Sequence, residues 1–223
     1  PLLKGKRVLV TAGPTFEPMD PVRGLTNRSS GKMGFAIAQA AWAYGAEVTL
    51  VAGPVALPTP EGVRRVPVQT ALDMQAAVLA HVDAADVFVA TAAVADWRPA
   101  HAAQHKLKKD GDGQAPALTF VENPDILAQV AAMPRAQSQA LCCVGFAAES
   151  HDLLAHGQAK RARKGVPLLC ANIGPATFGQ DDNALLLIDE SGHEQWPQAP
   201  KAVLARALCA AIAQRMAKAA NAG

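Results

Sequence analysis

Aromatic side chains are scarce in this 223-residue chain, which has six Phe, three Trp and one Tyr. That leaves no series of stacking platforms of the kind that grips single-stranded nucleic acid. Charge of one sign is lacking too. Lys and Arg total 21 against 19 Asp and Glu, so a net charge of +2 creates no global field toward a polyanion. The four cysteines show no C-x-x-C spacing. Cys142, Cys143 and Cys170 lie in apolar strand-like runs and Cys209 in an Ala-rich helical pattern, which predicts reduced core thiols in a cytoplasmic protein. No apolar run approaches the roughly 18 residues of a membrane span, and no signal peptide precedes the first strand. The six histidines are scattered. His101 and His105 share a polar loop without an adjacent glutamate and read as solvated, so metal ligands stay unassigned. A G-x-S-x-G elbow is absent, which removes a serine hydrolase.

Half of the residues are apolar and 18% are charged, the balance of a folded chain. A chain of this length buries roughly 70% of its unfolded surface. Apolar strand-like runs recur at Arg7–Ala12, Glu47–Ala52, Val87–Thr91, Leu141–Phe146 and Leu168–Asn172. Helical patterns separate them, which predicts an α/β, Rossmann-like fold with a mostly parallel sheet flanked by helices. The first helix follows Gly31, with Met33, Ile37, Ala40, Ala41 and Tyr44 on one face and Gly45 as its stop. Phe35, Gln39 and Trp42 form a second stripe, so part of the opposite face is expected to be covered as well. Further helices are expected near Ala71–His81, Asp125–Met133, Asp152–Lys164 and Lys201–Lys218. Residues Trp97–Gln114 are polar, basic and aperiodic, the signature of a mobile loop. Ala184–Ile188 and His193–Trp196 flank Asp189-Glu-Ser-Gly192 as a late antiparallel hairpin. With no repeat and no linker, residues 1–223 read as one domain. The chain begins at Pro1 rather than Met, from which we expect a fragment or processed product.

Pro21 to Gly34 reads P-V-R-G-L-T-N-R-S-S-G-K-M-G and opens into the first helix. A strand, a Gly/Ser-rich loop and a helix N-terminus in that order predict a site for an anionic, phosphorylated ligand. It is neither of the two common phosphate loops. A dinucleotide loop needs G-x-G-x-x-G directly after the first strand, where this chain has Gly13-Pro14, and Pro14 removes a backbone donor. The second strand ends in Ala52-Gly53-Pro54 without the acid that grips a ribose. A Walker loop fails because Met33 follows Gly31-Lys32 and Thr26 stands at the earlier glycine.

Other segments fit phosphate handling. Ala92-Ala-Val-Ala-Asp96 ends a strand, where open α/β sheets bind ligands, and Asp96 there suits a ribose or Mg²⁺. The basic runs Lys106-Leu-Lys-Lys109 and Lys160-Arg-Ala-Arg-Lys164 are ordinary solvated faces when taken singly. Asn123-Pro-Asp-Ile126 starts a helix with Asn or Asp as its cap, and Phe146 in Gly145-Phe-Ala-Ala-Glu149 is either core or faces a base. A nicotinamide-dependent oxidoreductase and a non-catalytic nucleotide-binding module remain the alternative classes.

The segments T-A-G-P-T, N-R-S-S-G-K-M-G, A-A-V-A-D, K-L-K-K, N-P-D-I and G-F-A-A-E, in this order, resemble phosphopantothenoylcysteine synthetase across essentially the whole chain. In bacteria this CTP-dependent ligase of coenzyme A biosynthesis forms the C-terminal half of a bifunctional protein with a flavin-dependent decarboxylase. The resemblance implies that 4′-phosphopantothenate and L-cysteine are joined through an acyl-cytidylate, with release of pyrophosphate and CMP. It assigns Asn27 to the acyl-cytidylate, Arg23 to the same substrate loop, and Lys106 to a flexible lid that closes on the triphosphate. Asp96, Pro124, Asp125, Ile126, Leu127, Phe146, Lys160 and Lys164 match the nucleotide-contact positions. It further implies Mg²⁺ with CTP, a homodimer, possible fusion to the decarboxylase, and no flavin, nucleic-acid or membrane partner for this part.

Overall fold

A computed structural model describes residues 1–222 of the chain apart from 110, 112, 114 and 115. The first apolar run forms β1 (Arg7–Ala12), and β2 (Glu17–Pro18) and β3 (Gly24–Leu25) pair antiparallel in the loop after it. Next come α1 (Lys32–Ala43), β4 (Glu47–Ala52), β5 (Arg64–Pro67), α2 (Ala71–Val82) and β6 (Val87–Ala90). The polar segment begins with β7 (Trp97–Pro99), which pairs antiparallel with β8 (Phe120–Glu122). Then follow α3 (Ile126–Ala131), α4 (Pro134–Gln137), β9 (Cys142–Glu149), α5 (Leu153–Lys164) and β10 (Leu168–Ile173). The chain ends with α6 (Gly174–Thr177), β11 (Asp182–Asp189), β12 (Gly192–Pro200) and α7 (Lys201–Ala222).

Six strands run parallel in the order β5-β4-β1-β6-β9-β10. The expected hairpin, β11 and β12, extends the sheet antiparallel. From β1 the chain winds outward through β4 and β5, then returns to wind the other way through β6, β9 and β10. That reversal opens a crevice at the carboxyl ends of β1 and β6, the usual ligand position in such sheets. Both faces are covered. Val10, Leu50, Ile37 and Leu208 fill one side under α1 and α7, and Leu9, Phe88, Met74 and Val130 fill the other under α2 and α3. Burial on two faces explains why these strands read as unbroken apolar runs.

The polar segment is not one irregular loop, because its first residues pair with β8; residues 110, 112 and 114 of it lie outside the described set. The second stripe of α1 is covered within the chain. Phe35 is buried with the Arg65 guanidinium 5.2 Å from its ring centroid, and Trp42 packs on Gly62, where a Cβ would come 1.9 Å from its Nε1. The stripe therefore gives no support to a dimer.

Gly34 sets how closely α1 approaches the crevice. A Cβ there would lie 2.4 Å from Thr91 Oγ1 and 2.5 Å from Ala12 Cβ. We expect Gly34→Ala to cost about 1–3 kcal/mol, the usual scale for overpacking, read as a lower urea midpoint. An unchanged midpoint would show that α1 does not press on β1 and β6 this tightly.

Candidate functional site

The T-A-G-P-T segment builds the wall of the crevice. Thr91 Oγ1 donates to the Thr11 carbonyl, and Thr11 Oγ1 accepts from the Ala92 amide at 3.3 Å. Thr15 Oγ1 accepts from the Ala95 amide at 3.0 Å, while the Ala93 amide donates to the Gly13 carbonyl at 3.0 Å. Thr11 and Thr15 are buried, so they act as scaffold that lays residues 91–95 along the Thr11–Thr15 strap. The strap also explains the missing acid after β4, because a Cβ at Gly53 would fall 1.7 Å from the Pro14 carbonyl oxygen. Chain fills the place where a dinucleotide-binding acid would stand.

Two cavities, of about 300 and 460 Å³, meet at this wall and share Ala92, Val94, Asp96, Phe146 and Lys160. The smaller is lined by Ser29–Gly34, so it opens on the start of α1. Gly31 precedes α1 at φ 77° and offers no side-chain cap, and only the Lys32 amide finds a side chain, Ser30 Oγ at a long 3.4 Å, among the described residues. First-turn amides without a cap, at the positive end of the helix, suit an anion.

Eight of the expected contact residues, Asp96, Pro124, Asp125, Ile126, Leu127, Phe146, Lys160 and Lys164, line the larger cavity. Asp125, not Asn123, caps α3, accepting from the Ala128 amide at 3.0 Å, and it also pairs with Lys164. Burial works to raise the Asp125 pKa, but the Lys164 hydrogen bond, the Ala128 amide and the nearby Lys164 and Arg163 charges hold it below the ordinary value. Lys160 and Lys164 stand one turn apart on α5. Burial depresses the Lys160 pKa, opposed by Glu149 and Asp96 and aided by Lys164 and Arg163. Phe146 packs partly on the core and also lines both cavities.

The other three stand apart. Asn27 lines neither cavity. Its Nδ2 donates to the Ala93 carbonyl at 2.6 Å and its Oδ1 accepts from the Ser29 amide at 3.0 Å, which fixes the loop against the wall. Arg23 is committed to Asp20 at 2.6 Å and to the Leu107 carbonyl at 2.5 Å. Lys106 is exposed, outside both cavities, next to that contact.

Sequence reasoning missed Asp20, which is buried and accepts from Arg23, from the Val22 and Arg23 amides and, at 3.0 Å, from the Leu107 amide. The Arg23 guanidinium holds its carboxyl well below the usual range, against the effect of burial. Asn123, read from sequence only as a cap candidate, instead donates to the Ala95 carbonyl at 2.8 Å and holds the Asp96 segment. Lys32 and Lys201 line the smaller cavity, yet their ammoniums bind the end of α6 and the loop after it. Lys32 reaches Asp181 at 2.6 Å and Lys201 the Thr177 carbonyl at 3.0 Å. The only sequence cue was an acid followed at i+3 by Arg in Asp20-Pro-Val-Arg23; the Lys201 contacts left none.

All four cysteines are free and buried. Burial pushes Cys142 up to about 11 and Cys143 and Cys209 up to about 12, and raises Cys170 as well. None is a thiolate nucleophile at neutral pH. Among the described residues no helix is long and apolar enough to cross a membrane.

Residues 3–216 match the model of the DNA/pantothenate metabolism flavoprotein C-terminal domain. The bifunctional coenzyme A biosynthesis protein CoaBC of Vibrio cholerae is 47% identical over 96% of this chain and 54% of its own length. The chain thus spans about half the length of the curated relatives it matches. A crystal structure of the C-terminal domain of a CoaBC protein aligns with TM-score 0.82 and 36% identity, covering 97% of this chain and 98% of that one. A Cab2 variant in complex with phosphopantothenate-cysteine shares the fold, with TM-score 0.79, 17% identity and coverage of 97% and 88%. With nearly its full length accounted for, the chain belongs to the DNA/pantothenate metabolism flavoprotein C-terminal domain family.

Proposed function

We propose that the protein is the CTP-dependent ligase that joins 4′-phosphopantothenate to L-cysteine, a cytoplasmic step of coenzyme A biosynthesis. The carboxylate of phosphopantothenate attacks the α-phosphorus of CTP, a P–O bond to the β-phosphate breaks, and pyrophosphate leaves. The cysteine amine then attacks the acyl carbon of the mixed anhydride, loses a proton, and expels CMP. One observation carries the reading: eight residues expected from sequence to touch nucleotide line a single cavity that adjoins an uncapped helix start. Both steps move negative charge, so preset cations and amides are the apt catalytic equipment.

Lys160, on the wall shared by both cavities, is the cation for the triphosphate, with Lys164 beside it. Asp125 partly neutralises Lys164 until nucleotide arrives. Asp96 offers a hard oxygen, and the donor set fits Mg²⁺, which takes one or two carboxylates besides phosphate oxygens. Bound there, the ion would offset charge on the phosphates. Asn27 and Arg23 serve the acid, and Lys106 the triphosphate when the lid closes. Flavin has no step here; decarboxylation belongs to a partner domain of the full protein. The homodimer rests on the family resemblance alone, and a monomer in sedimentation at working concentration would remove it.

Pyrophosphate release should require phosphopantothenate, with CTP preferred over ATP, UTP and GTP, and CMP should accumulate only when cysteine is added. CTP binding without pyrophosphate release would favour a binding module, and saturable NAD(H) binding an oxidoreductase.

Lys160 gives a pH test. Its pKa lies below 10.5 in the free protein, so its charge is lost on the acid side of that value. An incoming anion favours the ammonium, so binding takes up a proton in that window and weakens as pH rises. Lys160→Arg stays charged, with a pKa above about 12, and should flatten the limb. Wild-type affinity that is level up to the ordinary lysine pKa would exclude Lys160 as the contact.

A further inference from the structure

Outside both cavities, the turn between β9 and α5 collects two imidazoles and a carboxylate. His151, Asp152 and His156 each bring one ligand atom to within 4.8 Å of the other two. We propose that this turn is a binding site for a divalent transition ion of the zinc, cobalt or nickel class, ligated by His151, Asp152 and His156.

Three features favour ligation over a chance surface cluster. First, an oxygen outside the triad faces Nδ1 of each ring. Ser150 Oγ lies 2.8 Å from Nδ1 of His151, and Glu149 Oε2 lies 3.7 Å from Nδ1 of His156. With its proton on Nδ1 and directed at these oxygens, each ring would offer Nε2 to an ion, as in carboxylate–histidine–metal arrangements. Nε2 of His151 already stands 3.9 Å from Asp152 Oδ2. Second, Asp152 occupies the cap position of α5 yet makes no side-chain cap hydrogen bond, so the helix does not use its carboxylate. Third, the charges close. Asp152 and Glu149 together offset a divalent ion beside a positive helix end, where an uncompensated cation would be repelled.

The donor set narrows the ion. Two imidazoles with a carboxylate favour borderline ions at about 2.0–2.2 Å over Ca²⁺ or Mg²⁺, which prefer oxygen alone. The rings meet edge-to-face with centroids 4.8 Å apart, and side-chain exposures of 68% for His151 and 74% for Asp152 leave room to contract around an ion. Solvent would complete the shell. A bound ion would clip the turn after β9 to the first turn of α5, the helix that presents Lys160 and Lys164 one and two turns further on. The site thereby stiffens the support of the nucleotide cavity without touching its ligands.

Titration of the metal-free protein with Co²⁺ and Zn²⁺ tests this. We expect one saturable site per chain, a visible cobalt spectrum of nitrogen and oxygen ligation, and a higher unfolding temperature with Zn²⁺. His151→Gln and His156→Gln should each weaken binding by about tenfold or more, and Asp152→Asn should weaken it too. His101→Gln with His105→Gln, two imidazoles four residues apart in the polar segment and outside this cluster, should leave binding unchanged. Metal-free unfolding curves report whether each variant folds. Absence of saturable binding overturns the proposal, as does binding that survives loss of both His151 and His156 or follows His101 and His105.

Discussion

Asn27→Asp is expected to lower ligation by about 10²-fold or more, the scale for losing one aimed polar contact in a transition state. Two effects act in the same direction. Asn27 Nδ2 donates to the Ala93 carbonyl at 2.6 Å, and aspartate has no such proton, so a carboxylate oxygen would face a carbonyl oxygen. The added negative charge also repels a phosphorylated acid and the cytidylate formed from it. The Ser29 amide still finds its acceptor, since aspartate keeps Oδ1, so the turn survives while the strut to the wall is lost. Single-turnover measurement of pyrophosphate release and of product, beside an unfolding curve, separates misfolding from lost chemistry. Wild-type rates in both steps would remove Asn27 from the mechanism. Asn27 itself lines neither cavity, so its proposed contact with the intermediate requires the ligand to extend toward the loop.

What could be read from sequence follows from where each signal is stored. β1, β4, β6, β9 and β10 are buried on both faces, and an unbroken apolar run is the direct trace of that. β5 escaped because Arg64-Arg-Val-Pro67 is a short polar strand at the sheet edge, where burial leaves no pattern. β7 and β8 escaped because their partners are some twenty residues apart and each strand has only three residues. The site divides in the same way. The spacing of Lys160 and Lys164 and the cap before α3 located their helices, while their assignment to nucleotide came from the family resemblance alone. Asp20 and Lys201 were not legible, since the partner that ties Asp20 to the basic segment is a backbone amide 87 residues away, and Lys201 binds carbonyls at the end of α6 and in the loop after it. Thr11 and Thr15 show the converse: residues of a recognisable motif whose work is to hold the wall.

Lys106→Gln should reduce turnover by about 10²-fold, equivalent to about 2.7 kcal/mol in the barrier, while stability stays within about 0.5 kcal/mol. Small structural cost follows from position, since Lys106 is exposed and lines neither cavity. The catalytic cost follows from what holds its neighbours. The Ala103 amide donates to the Met19 carbonyl at 2.9 Å, the Leu107 amide donates to Asp20, and Arg23 donates to the Leu107 carbonyl. The basic segment is thereby anchored to the Met19–Arg23 turn, so the lid proposed for Lys106 would close from a fixed base. Because the Asp20 pKa is depressed in the fold, its clasp is complete above the ordinary value of 3.8 and is lost only as pH falls through the lower folded value. The anchor thus holds at neutral pH, and Asp20→Asn, which loses the Arg23 ion pair, should lower turnover in the same direction as Lys106→Gln. Lys108→Gln serves as the control for general loss of charge. Steady-state rates with saturating CTP decide it: full turnover in Lys106→Gln, or an equal loss in Lys108→Gln, would mean that Lys106 supplies no aimed charge and that the segment acts only as a diffuse positive surface.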